Sequence, residues 1–89
     1  MADLANIQKL IIDECEKVKS LLLQKNKDYG SSFSHPIKVF SKLSPEEQIN
    51  VRIDDKLNRI STQGIKMVVE DTEQDLIGYL ILKRVLRKL

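Results

Sequence analysis

The stretch that most narrows the fold is Arg52–Arg59, RIDDKLNR, read with its flanks. Arg52, Asp55, Lys56 and Arg59 fall at i, i+3, i+4 and i+7, and Ile49, Ile53, Leu57 and Ile60 fall at i, i+4, i+8 and i+11. On a helix the first set gathers on one face and the second on its neighbour. The stretch therefore predicts a helix with a core stripe beside a mixed-charge stripe. Two readings of that charged stripe stand. One is a solvated face with Arg52–Asp55 and Asp55–Arg59 pairs, each contributing about 0.2–0.5 kcal/mol. The other is the edge of a site for phosphate and metal.

Length sets the frame. A chain of 89 residues is expected to form one small domain spanning 1–89. So short a chain buries a modest fraction of its surface, which favours an oligomer. Its 15 basic and 13 acidic residues leave a net charge of +2, too balanced to argue for nucleic acid on electrostatics alone. One cysteine, Cys15, allows neither an intrachain disulfide nor a cysteine-based zinc site, and fits a reducing compartment. No apolar run approaches the roughly 20 residues that span a bilayer. The start, MADLANIQ, does not read as a signal peptide. A cytoplasmic location and no membrane partner are the expectations.

Three main helices are predicted. Asp3 caps the first, which runs to about Lys25 with Leu4, Ile7, Leu10, Ile11, Val18, Leu21 and Leu22 as its stripe. At about 100° per residue, Glu14 falls inside that stripe. A carboxylate aimed at a core needs a partner, either a structural Lys or Arg or a metal. The loop that follows, Asn26–Pro36, holds Tyr29, Phe33 and the sole histidine, His35, which is left out of the site. A short helix over Pro36–Leu43 would turn Val39, Phe40 and Leu43 inward. Ser44-Pro45-Glu46-Glu47 is a helix start with Ser as N-cap, Pro at N1 and Glu at N3. The second helix then runs to about Gln63, with Gly64 beyond it.

The third helix runs to about Lys88. Val68, Thr72, Tyr79, Leu82 and Leu86 share a face, and Asp75 lies in its middle, one turn after Asp71. From Ile77 to Leu89 a wide apolar band turns outward as well. A helix apolar over so much of its circumference is usually buried on two sides, and in so short a chain the second side is most simply another subunit. The basic cluster Lys83, Arg84, Arg87 and Lys88 is sufficiently explained by the negative helix end. The expected fold is all-α: a small antiparallel bundle of three main helices, completed by oligomerisation. Each helix offers acids: Glu14, then Asp55, then Asp71 and Asp75. Carboxylates converging from several helices are how bundles bind divalent metal, Mg²⁺ included. Arg52, Lys56 and Arg59 would supply positive charge for phosphates.

Three motifs in order, Asp28-Tyr29-Gly30, Arg52-x-x-Asp55-Lys56-x-x-Arg59 and Asp71-Thr72-x-x-Asp75-Leu76-x-x-Tyr79, resemble those of the bacteriophage proteins called nucleotide modification associated domain 1. That group is similar in turn to the MazG-like all-α nucleotide pyrophosphohydrolases. The resemblance covers roughly 22–82. It implies a helical oligomer of phage origin with a role around nucleotides. The MazG-like enzymes cleave nucleoside triphosphates to monophosphate and pyrophosphate with Mg²⁺. Carried over, the resemblance implies Asp55, Asp71 and Asp75 as metal ligands, with Arg52, Lys56 and Arg59 on phosphate and Tyr29 near the substrate. The chain departs from the MazG-like pattern at two acid pairs, reading Glu14-Cys15-Glu16-Lys17 and Thr72-Glu73-Gln74-Asp75, and it has Met67 where the phage group tends to have Glu. Two functions follow as expectations. One is Mg²⁺-dependent hydrolysis of a (deoxy)nucleoside triphosphate, with Glu14, Asp55, Asp71 and Asp75 on the metal. The other is a non-catalytic module that binds or sequesters a nucleotide, or binds a host protein. Nucleic acid is disfavoured, because no contiguous basic patch with interleaved aromatics is present.

Overall fold

The computed structural model describes residues 3–63 and 71–89. Among these the protein is all-helical: α1 spans Leu4–Tyr29, α2 Pro45–Gln63 and α3 Thr72–Leu86. The chain divides into two compact units, Met1–Gly30 and Ser31–Leu89. The expected Gly64 cap and the inward Val68 lie outside the described residues, as does Met67.

The first unit is α1. Asp3 caps it as the sequence predicts, its carboxylate accepting the Asn6 N–H at 2.7 Å. The helix continues a full turn past Lys25, to Tyr29. Gly30 then ends it with a positive φ of 64°, a conformation that glycine adopts without steric cost. The Asn26 side-chain amide donates to the Gly30 carbonyl at 2.9 Å, which satisfies one acceptor at the helix end. Val18 is buried and Leu21 and Leu22 are half-buried, whereas Leu4, Ile7, Leu10 and Ile11 are exposed.

The second unit is a helical hairpin. Ser44 caps α2, its hydroxyl accepting the Glu47 N–H at 3.2 Å, with Pro45 at the first helical position. Asp71 caps α3, accepting the Gln74 N–H at 2.8 Å. The two helices pack on each other antiparallel. Glu46, at the start of α2, lies 3.9 Å from Arg87, just past the end of α3. Lys56, further along α2, meets Asp75 near the start of α3. Ile49 is buried, with Ile53 and Ile60 half-buried on the same stripe of α2. From α3, Thr72 and Gly78 are buried and Asp75, Tyr79, Leu82 and Leu86 are half-buried, which is the inward face that the spacing predicts.

Two local expectations are corrected. No helix forms over 36–43, and Ile37, Val39, Phe40 and Leu43 face solvent, Phe40 being 99% exposed. Eight residues carrying β-branched Ile37 and Val39 cannot offset the cost of nucleating a helix. The chain instead turns at Lys38, whose φ of 60° is incompatible with a right-handed helix. The Lys42 ammonium donates to the carbonyls of Lys38 at 2.7 Å and Val39 at 3.5 Å and so holds that turn closed. The second correction is Leu57, expected in the core stripe of α2 but exposed. Lys56 is buried in its place.

Candidate functional site

The charged stripe of α2 is divided by the packing of the hairpin. Arg52 and Asp55 are exposed, Arg59 is half-buried and Lys56 is buried. The reason is angular. At about 100° per residue, Lys56 sits about 40° from the centre of Ile49, Ile53 and Ile60, and Leu57 about 60°. A helix that faces α3 with those three isoleucines therefore carries Lys56 in with them. The long aliphatic stem of lysine packs among apolar neighbours while its ammonium seeks an anion.

That anion is Asp75. Lys56 Nζ lies 3.2 Å from Asp75 Oδ2, and the two side chains are only 11% and 18% exposed. Asp75 sits in the first turn of α3, where the unpaired N–H groups of the helix start also favour a negative charge. The pair therefore ties the middle of α2 to the beginning of α3. Removing water from two charges is costly, and only a close, well-partnered contact offsets it.

Beside Asp75 on the same face is Thr72, fully buried. Its hydroxyl finds no hydrogen-bond partner among the described residues. A buried hydroxyl in that state costs about 1–3 kcal/mol. Thr72→Val keeps the branched shape and removes the orphan group. It is expected to stabilise the protein by about 1 kcal/mol, read as a higher urea midpoint at unchanged slope. A lower midpoint would show that the hydroxyl is satisfied in solution.

The remaining predicted site residues are placed as follows. Glu14 is exposed and bonded to Lys17 within its own helix at 3.1 Å, rather than aimed into a core. Asp55 is exposed on α2. Asp71 is occupied as the N-cap of α3. Tyr29 is exposed in the last turn of α1. Among the described residues no three His, Cys, Asp or Glu side chains come together in a group that could hold a metal ion. Of the four acids expected on Mg²⁺, only Asp71 and Asp75 share a turn, and each already has a positive or N–H partner. Mg²⁺ is usually held by one or two carboxylates together with waters and substrate phosphates; as placed, the four acids do not gather at one point, and the two that are neighbours, Asp71 and Asp75, are engaged as an N-cap and an ion pair.

The sequence offers Asp75 a cationic partner from the second helix in the absence of metal, Lys56, Arg52 or Arg59, and of these Lys56 lies beside it. Both residues lie on inward faces of neighbouring helices and carry opposite charge. No described helix is long and apolar enough to cross a membrane. No family model, curated protein or solved structure matches this chain.

Proposed function

We propose that this chain is a non-catalytic binding module that works as an assembly of copies and takes a nucleotide through its phosphates, without cleaving it. The observation that carries this reading is the Lys56–Asp75 pair. A Mg²⁺-dependent pyrophosphohydrolase needs Asp75 free for metal and Lys56 free for phosphate. Here each neutralises the other at the joint of the hairpin. The nucleotide follows from the resemblance to the phage family and from Arg52 and Arg59, the two guanidinium groups of the same α2 stripe. Guanidinium groups match phosphate oxygens in pairs. The assembly follows from the large apolar side chains that α3 turns to solvent, Ile77, Leu80, Ile81 and Val85 among them. Contiguous exposed apolar surface on a small protein marks an interaction site.

The test uses the purified chain with deoxynucleoside triphosphates, with Mg²⁺ or with EDTA. Binding is expected to raise the melting temperature equally in both, and pyrophosphate release is expected to stay at the buffer rate. Arg52→Ala should abolish the nucleotide-dependent shift and leave the apo melting temperature unchanged. Mg²⁺-dependent pyrophosphate release that disappears in Asp75→Asn would establish the hydrolase instead. Absence of any shift with every nucleotide would remove the ligand from this reading.

A further inference from the structure

The outer face of α3 carries apolar and charged residues in a definite order. Glu73 stands at its start, exposed Ile77, Leu80 and Ile81 in its middle, and Arg84 and Lys88 toward its end. The three apolar residues are 43%, 46% and 38% exposed among the described residues. Beyond Leu86 the backbone continues in a tight turn, with the Lys88 N–H donating to the Val85 carbonyl at 2.9 Å, so Lys88 stays close to the helical path.

The helix is also polarised. Its first turn is acidic and its last turn basic. Two such helices laid parallel would oppose like charges at both ends. Laid antiparallel they oppose unlike charges at both ends, and their backbone dipoles oppose favourably as well. One register satisfies the apolar middle and the charged ends together. If Leu80 faces Ile81 of the partner subunit, Ile77 faces the stem of Arg84 of the partner subunit, and Glu73 faces Lys88 of the partner subunit. The arrangement maps onto itself under a two-fold rotation, so it closes as a dimer rather than growing as a fibre.

We propose that α3 pairs with α3 of a second copy, antiparallel, about a two-fold axis between Leu80 and Ile81, with Glu73 of each chain opposite Lys88 of the other. This rests on the assembly part of the function proposed above and specifies its interface. A membrane surface is a poorer occupant, because an acidic group stands at one end of the apolar row. Nucleic acid is excluded from the same end by the same charge.

The test is sedimentation equilibrium of the full chain and three variants, Glu73→Lys, Lys88→Glu and the two combined. Circular dichroism at the same concentrations confirms that each is folded. The wild type is expected at twice 10.3 kDa. Each single reversal sets like charges against each other twice per dimer and should weaken association about tenfold. The combined variant restores opposite charges in the same positions and should recover most of that loss. Raising the salt concentration should shrink the difference between single and combined variants. A wild type that sediments at 10.3 kDa throughout would overturn both the assembly and this interface. An assembled wild type whose single variants associate unchanged, or whose combined variant is no better than the singles, would overturn this interface and leave the assembly on another face.

Discussion

Asp75→Asn is expected to destabilise the protein by about 3 kcal/mol, the low end of the range for breaking a buried ion pair, because the pair keeps some access to water. The substitution preserves shape. What it removes is the charge that Lys56 has beside it at 3.2 Å. The ammonium then has a neutral amide in place of that carboxylate. In a domain this small, about 3 kcal/mol is a large share of the whole stability, so the variant should be partly unfolded near physiological temperature. Urea denaturation followed by circular dichroism reads the effect. Asp55→Asn is the control, on the exposed side of the same stripe, and should change stability by less than about 0.5 kcal/mol. Equal effects at the two positions would mean that the pair contributes no more than a surface bridge.

The second large effect is at Ile49. It is the most buried apolar side chain among the described residues, at 4% exposure. It lies on the α2 stripe that faces α3, between the capped start of the helix and Lys56. Ile49→Ala removes three carbon atoms there and leaves a cavity that two helices cannot fully close. A loss of about 2–4 kcal/mol is expected, read from the same urea curves. Leu57→Ala serves as the comparison. Periodicity alone places Leu57 in the core, but it is exposed, and its truncation should cost under about 1 kcal/mol. If Leu57→Ala proved as costly as Ile49→Ala, α2 would be rotated about its axis from the orientation described.

Much of the fold was legible because capping and periodicity are local. Asp3, Ser44 and Pro45 mark helix starts by chemistry that involves residues no more than three positions away. The inward face of α3 follows from its own spacing. The errors came where a local signal competed with a partner. Leu57 looks like the natural member of the α2 stripe by type, but the helix orients by the three isoleucines, and Lys56 lies closer to them. The stretch 36–43 has inward-looking apolar residues but no length over which a helix could propagate. Glu14 falls on the apolar stripe of α1 by angle, yet its neighbour Lys17, one turn on, offers a partner in solvent.

The candidate site was less legible than the fold. The acids were found by their positions, but whether they gather depends on how each is already satisfied. Spacing offers Asp71 only as a metal ligand one turn before Asp75, whereas it is the N-cap of α3 and its carboxylate is taken by the Gln74 N–H. Asp75 reads equally well as a ligand and as half of an ion pair. Sequence spacing does not rank these, because the deciding quantity is the distance to a cation on another helix.

Lys56 and Asp75 are proposed to form a structural joint and not a metal site. A double-mutant cycle tests it most directly: wild type, Lys56→Met, Asp75→Asn and the double variant, unfolded in urea with EDTA and again with millimolar Mg²⁺ plus nucleotide. A structural joint predicts a coupling energy of about 2 kcal/mol or more between the two positions, the same in both buffers. A coupling near zero, with Mg²⁺ stabilising the wild type and failing to stabilise Asp75→Asn, would contradict the joint and return Asp75 to the metal.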